Sequence, residues 1–382
     1  MRTIIFGTYD IAMHPRIATI AEGLAARGFD VTECNIPLGL TTADRVDMLA
    51  KPWKAGGLAV RLASRWFGLA AKARRLGRPD AVVVGYLGHF DVHLARLLYP
   101  RRRVPIVLDH LISAAGTAKD RRIAGSGLKQ RLLTLIDAAA LRAADIVLVD
   151  TEEHLEIVPE KYRPKAVVVP VGAPTPWHEA AQEPSATVGS GPLKVVFYGL
   201  YTPLQGTPVI GEALGRVAGA PIEVTMIGRG QDEAETKRAA AANQSVRWLD
   251  WVPAAELPAL VASHDVCLGI FGTGDKALRV VPNKVFQGAA AGCAVITSDT
   301  APQRRVLGTV PQESGAVLVP PGDAAALDDA LLQLASDREA LLKLRHAARQ
   351  LAAERFTPQQ VVGPLTDRLA APHAPLSKHS RA

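Results

Sequence analysis

The sequence predicts an α/β protein of two domains, each a parallel sheet covered by helices. Three observations carry that prediction. Short β-branched runs alternate with amphipathic helical stretches along nearly the whole chain, the pattern of repeated strand–helix–strand units. The alternation is interrupted once, at 171–192, where Pro, Gly, Ala and Ser dominate and periodicity is lost. The length, 382 residues, is more than one core ordinarily organises.

In the first half, residues 3–9 read as a strand, 16–27 as a helix with Ile17, Ile20, Ala21 and Leu24 on one face, and 29–34 as a second strand. The connection between Gly7 and Pro15 is too long, and its glycines wrongly spaced, for a dinucleotide fingerprint, so no nicotinamide or flavin site is expected there. Residues 51–78 hold eight Lys and Arg and no acid, interleaved with Trp53, Trp66, Phe67, Leu58, Leu62 and Leu69. Such a stretch suits an interfacial helix meeting anionic lipid, or equally a pair of helices covering the sheet with a solvated basic face. Strand 81–85, a helix opening at Gly88 and running through Leu98, strand 105–109, helix 128–142, and strands 145–149 and 166–170 complete a first domain at 1–172.

A linker is expected at 173–192. The second domain, 193–355, restarts with strand 193–199, loop 200–206 and a helix from Thr207 to Val217. Strands follow at 222–227, 246–252, 266–270, 294–298 and 315–319, and helices at 254–262, 323–336 and 337–354. Trp248 and Trp251 lie near a bound base or in the core. A last helix, within 356–371, returns to the first domain, and 372–382 reads as a polar, disordered tail.

The most informative stretch is 271–299: a basic loop with Lys276, Arg279 and Lys284, a short helix of small residues opening at Asn283, and a strand. With Asn283 as N-cap, the free N–H groups of the first turn and the nearby cations make a place for a diphosphate. The alternative is a tightly packed helix beside a solvated loop.

Pro282-Asn283-Lys284, Phe286-Gln287, Ala290-Ala291-Gly292, Val295-Ile296 and Asp299 together resemble the nucleotide-sugar segment of the family-4 (group 1) glycosyltransferases. The resemblance implies the GT-B fold, two Rossmann-like β/α/β domains facing across a cleft, with the donor bound mainly by the second domain. It also implies retaining transfer from a nucleoside-diphosphate sugar, the only co-substrate, with no cofactor. Four positions mark this chain as divergent. The family's two glutamates, with seven residues between them, stand here as Arg279 and Gln287. Its arginine and lysine on the diphosphate stand as Leu200 and Gln205. Each charged hydrogen bond to phosphate is worth roughly 1.5–3 kcal/mol, so Arg229, Lys276, Arg279 or Lys284 must replace them.

By the same resemblance Asp10, His14 and Arg16 face the acceptor, although His14 is equally a turn residue before Pro15. Asp109 and His110 stand near the anomeric carbon, with His110 alternatively a strand-end residue satisfied by backbone. Catalytic candidates are Asp109, His110, Lys284 and Arg279. Donor contacts are expected from Gly7, Gly199, Gln205, Gly228, Arg229, Gly230, Lys276, Asn283 and Gln287.

All of the net charge of +7 lies in the first half: residues 1–180 hold 25 Lys and Arg against 18 Asp and Glu, and the remainder 19 against 19. A basic half points to an anionic membrane surface, and a lipid-linked saccharide or another small acceptor, as its partner. No pattern of nucleic-acid recognition accompanies it. Cys34, Cys267 and Cys293 have neither pairing nor metal spacing, which fits a reducing cytoplasm, with peripheral attachment at the inner face of the membrane. No metal site and no Gly-x-Ser-x-Gly elbow is present in the sequence. Two other readings stay open at this level. One is a nucleotide-sugar epimerase of the same fold; the other is a non-catalytic protein binding a membrane or partner through its basic half.

Overall fold

The computed structural model describes residues 1–10, 15–39, 55–85, 88–100, 104–111, 113, 116, 127–181 and 191–371. His14, Trp53 and the tail 372–382 lie outside them. Two six-stranded parallel sheets form the framework of a GT-B architecture. The first comprises β1 (Arg2–Gly7), β2 (Asp30–Asn35), β3 (Ala81–Val84), β4 (Ile106–Asp109), β5 (Ile146–Val149) and β6 (Ala166–Val168), in the order β2-β1-β3-β4-β5-β6. The second comprises β7 (Leu193–Tyr198), β8 (Ile222–Ile227), β9 (Val246–Leu249), β10 (Val266–Leu268), β11 (Ala294–Ser298) and β12 (Ala316–Val319), in the order β12-β11-β10-β7-β8-β9. The chain reverses direction between β1 and β3 in one sheet and between β7 and β10 in the other. In open parallel sheets that reversal leaves a crevice outside the strand C-termini.

The strands are near-continuous apolar runs because helices cover both of their faces. On one face of the first sheet, Ile4, Phe6, Val82, Val84 and Leu108 pack against Leu69 and Ala73, Val92 and Ala95, and Ala140 and Leu141 of three helices. On the other face, Ile5, Val83 and Val107 pack against Ile17, Ile20 and Leu24, with Val361, Val362 and Leu365 from the far end of the chain. The chain crosses back at Phe356, whose ring meets Phe286 edge-on at 4.9 Å and whose carbonyl accepts from Ala173 N–H at 2.9 Å. Beyond it, two short helices, Pro358–Val361 and Gly363–Ala370, replace the single helix expected there. The approach is close: a Cβ on Gly23 would lie 2.1 Å from the Pro358 carbonyl oxygen.

One expectation needs correction, and one pair of alternatives is decided. The stretch 173–192 holds a helix, Thr175–Glu179, whose Trp177 stacks on Tyr198 at 5.6 Å, so this part of the presumed linker is packed on the second domain. Pro176 in its first turn supplies the fixed φ that starts it. The basic stretch forms one 22-residue helix, Ala55–Leu76, rather than a pair. Leu69 and Ala73 are buried, and Trp66 donates its indole N–H to Asp91 at 2.8 Å. Phe67 remains 83% exposed. No described helix is long and apolar enough to cross a membrane.

Candidate active site

The two crevices are joined by contacts between the domains. Thr151, just past β5, donates its hydroxyl to the Arg279 carbonyl at 2.7 Å while capping the N–H of His154 at 3.1 Å. Arg305 donates to Glu153 at 2.8 Å from the helix Ala301–Leu307. Leu111, beyond β4, packs into the core of the second domain. The C-terminal ends of the sheets therefore face the same junction.

On the second domain, Gly199 ends β7 at φ +147° and Gly228 ends β8 at φ +129°. Neither position admits a side chain: a Cβ on Gly228 would lie 1.9 Å from the Gly199 carbonyl oxygen, and one on Gly199 would lie 3.1 Å from Lys284 Nζ. Lys284 has thus been brought directly over the glycine at the end of β7, at the crevice between β7 and β10. Its ammonium donates to Gln205 Oε1 and sits 3.8 Å from the centroid of Phe197. The residue is only 4% exposed, and burial pushes its pKa down to about 7. The glutamine in the place of the family's lysine thus serves as the partner of a lysine arriving from another element.

Lys284 is the second residue of the helix Asn283–Ala290. Here the sequence expectation is corrected: Pro282 occupies the cap position, Asn283 is already helical, and no side-chain hydrogen bond caps this end. Of the first-turn N–H groups, that of Val285 bonds back to the Pro282 carbonyl at 3.0 Å, and the helix start carries its partial positive charge beside Lys284. Gln287, one turn on, is 4% exposed and accepts the Tyr198 hydroxyl at 2.9 Å, so its amide oxygen is committed to the core. Gly230 packs on the Tyr201 backbone, whereas Arg229 is exposed and held by Asp250, apart from the Lys284 cluster. Lys276 and Arg279 are half-buried in the segment leading into the helix. Trp248 packs against the second core and Trp251 is exposed, which favours the core reading for the former alone.

On the first domain, Arg16 is corrected from an acceptor contact to a buried strut. It is 1% exposed, its Nε donates to Asp109 Oδ1 at 2.9 Å, and its Nη1 donates to the Val169 and Pro170 carbonyls at 2.9 and 3.1 Å. The same pair holds Asp109 under the end of β4: its Oδ1 accepts from Arg16, its Oδ2 is buried without a hydrogen-bond partner among the described residues, and burial pushes its pKa up against the pull of the guanidinium. His110 is the neighbour that reaches the junction. Its backbone N–H donates to the Leu148 carbonyl at 2.9 Å, its ring meets His89 edge-on at 5.4 Å, and burial with His89 nearby lowers its pKa to about 4. The imidazole is therefore neutral at ordinary pH, able to offer a hydrogen bond without charge. Gly7 backs onto Tyr9 and Asp91, and Asp10 is half-buried just beyond it.

The sequence did not single out the groups that surround His110. Asp137 bridges His89, at 2.9 Å, and the Ser113 hydroxyl, at 2.7 Å. Asp150 pairs with His154 across one helical turn. The only signal for them was polar residues at strand ends and on otherwise apolar helix faces. Among the described residues no group of His, Cys, Asp or Glu is arranged to hold a metal ion.

Comparison with known proteins supports the same architecture. Residues 192–337 match the family described as glycosyl transferases group 1. Over 166 residues the chain is 33% identical to a phosphatidyl-myo-inositol mannosyltransferase of Mycobacterium leprae, a match covering 42% of this chain and 41% of that protein. Sucrose-phosphate synthase of Thermosynechococcus elongatus superposes with a TM-score of 0.69 at 15% identity, covering 96% of this chain and 98% of the other. The Anabaena HepE protein in complex with UDP superposes with a TM-score of 0.63 at 11% identity and the same coverage. At these identities the structural likeness shows the fold.

Proposed function

With a second domain that belongs to the group 1 glycosyltransferases and a whole chain built on the GT-B plan, we propose that this protein transfers a sugar from a nucleoside diphosphate to an acceptor held by its first domain. The observation that carries the proposal is Lys284 Nζ, poised over Gly199 beside the uncapped start of the helix Asn283–Ala290. A diphosphate seated there meets an ammonium, first-turn N–H groups and the positive end of the helix, which are aimed before the reaction begins.

In the retaining course the bond from the anomeric carbon to the diphosphate oxygen breaks, and the acceptor oxygen bonds to the same face of that carbon. The acceptor proton passes to the departing phosphate. Lys284 stabilises the charge that grows on the leaving group, and neutral His110 offers a hydrogen bond from across the junction. Burial holds Lys284 near neutrality, so a bound diphosphate raises its pKa and captures a proton along with the nucleotide. The partly buried junction keeps water from competing for the donor.

The acceptor we propose is lipid-linked. Val60 and Phe67 on the helix Ala55–Leu76, and Leu128, Leu132 and Leu135 on the helix Gly127–Ala143, are exposed on the outer layer of the first domain. Arg61 and Arg65 flank the former and Arg131 the latter, exposed with them. Both helices run back from strand C-termini, so these residues stand toward the junction end, where an anionic bilayer would present its lipid. The mannosyltransferase relative acts, by its name, on a phosphatidylinositol, which supports this reading.

The direct test is thermal stabilisation of the purified protein by UDP, GDP, ADP, CMP and dTDP and their sugars. Stabilisation by one nucleoside diphosphate and its sugar is the expected result. No response to any of them would overturn the donor site.

A further inference from the structure

We propose that His154, held by Asp150, is an acceptor-binding residue that takes a hydrogen bond from a hydroxyl of the acceptor other than the one that reacts. The inference rests on the assignment of the acceptor to the first domain and adds a residue that reads it.

The run Asp150-Thr151-Glu152-Glu153-His154 follows directly on β5. Its spacing returns the histidine to the aspartate, because residues four apart on a helix lie one above the other. Thr151 fixes the turn. Its Oγ1 accepts the His154 backbone N–H at 3.1 Å at the start of the helix Glu152–Ile157, and its hydroxyl donates to the Arg279 carbonyl of the second domain at 2.7 Å. His154 therefore stands one helical turn from a contact between the domains. On the neighbouring strand Asp109 pairs in register with Leu148, which sets Asp150 beside the segment carrying His110 and Leu111, and Leu111 packs into the core of the second domain. The His154 ring lies close enough to His110 to bear on its charge, and Asp150 does the same to Asp109.

Both side chains of the pair are buried, and Asp150 receives the histidine at Nδ1. In the neutral imidazole the proton then belongs to Nδ1, and Nε2 is left with a bare lone pair, the tautomer that an orienting carboxylate selects. Nε2 has no hydrogen-bond partner among the described residues, and it is not sealed from solvent as His110 Nδ1 is. A lone pair there repels the oxygens of a phosphate or carboxylate, so the group it accepts from is an O–H or N–H. The first domain carries the pair at the strand end beside His110, which assigns that group to the acceptor. The reacting hydroxyl keeps its proton for the departing phosphate, so His154 meets a second one. Two hydroxyls fixed at once orient an acceptor ring, whereas one leaves it free to turn.

The test reads the tautomer by nitrogen NMR of the whole protein with isotope-labelled histidines, assigned through His154→Gln. The occupant is read by titration with methyl hexopyranosides and their monodeoxy analogues, with and without a nucleoside diphosphate. An unprotonated His154 Nε2 whose resonance moves on adding a methyl hexopyranoside is the expected result. Removing from the glycoside the hydroxyl that meets His154 is expected to weaken binding to the wild type about 10-fold and to change nothing in His154→Leu, since both deletions remove the same bond. His154→Gln offers an amide oxygen in place of Nε2 and is expected to keep most of the affinity. If thermal unfolding shows His154→Leu to be unfolded, the deoxy series on the wild type and the Nε2 resonance decide. A protonated Nε2, a resonance indifferent to every glycoside, or a deoxy penalty that persists in folded His154→Leu would overturn the assignment. A loss of affinity for the nucleotide sugar in His154→Leu would place the hydroxyl on the donor and refute it as stated. The donor site fails separately, by silence toward every nucleoside diphosphate, and the Nε2 resonance is read without one.

Discussion

Replacing Lys284 by methionine should stabilise the protein in the absence of nucleotide while destroying the response to it. The lysine pKa falls from 10.5 to about 7 on folding. A gap of that size corresponds to roughly 4–5 kcal/mol of electrostatic cost at or below pH 7. Methionine keeps the unbranched chain and has no charge to desolvate. Against this gain stands the lost bond to Gln205, about 1 kcal/mol, and an amide oxygen left without its partner, about 1–2 kcal/mol more. The net is a stabilisation of about 2 kcal/mol, or about 4–8 °C for a domain of this size. The sign of the pH dependence is fixed. Between about pH 7 and pH 10.5 the unfolded lysine keeps its proton while the folded one has lost it, so the wild type gains stability as pH rises through that window. The advantage of Lys284→Met should therefore be full below about pH 7 and shrink steadily above it. Thermal unfolding of both proteins from about pH 6.5 to about pH 9, with and without nucleoside diphosphate, reads all three quantities. A variant less stable than the wild type, with a difference independent of pH, would show that the charge supports the fold and would refute the argument that this lysine is held in strain for a ligand.

Two other outcomes follow from the first domain. Arg16→Met or Asp109→Leu alone leaves a buried charge and should cost about 3–5 kcal/mol in equilibrium unfolding, while the double substitution should recover most of that loss; additive losses would contradict the strut reading. Phe67→Ser combined with Leu132→Ser removes exposed apolar surface only, so stability should hold while sedimentation with phosphatidylglycerol-containing vesicles falls several-fold, most visibly at high salt where the arginines are screened; unaltered sedimentation would discard the docking surface.

The fold was legible because parallel strands covered on both faces write themselves as apolar β-branched runs, and the helices between them keep a helical period. Elements that escaped were short and started by proline, such as Thr175–Glu179 and Ala301–Leu307, where a rule that reads Pro as a breaker misses its use at the first turn. The site was legible by type and less so by arrangement. Glycines at strand ends could be placed because close backbone approach leaves a mark in the sequence. Charges could not, since a long side chain serves a point several ångströms from its own backbone and the sequence does not say which. Arg16 and Asp109 each looked like a functional residue, yet they meet across 93 positions and neutralise one another.

The same freedom bears on the proposed phosphate site. Leu200 and Gln205 stand where the family resemblance leads one to expect two cations in the loop after β7, and the cation of the proposed site comes instead from Lys284, which reaches the space over Gly199 from the helix start on the neighbouring side of the crevice. Gln205 then acquires a purpose that a lysine could not serve, because only an acceptor can hold the arriving ammonium. The two departures are one exchange, in which the charge moved to a different element and the vacated position became its partner.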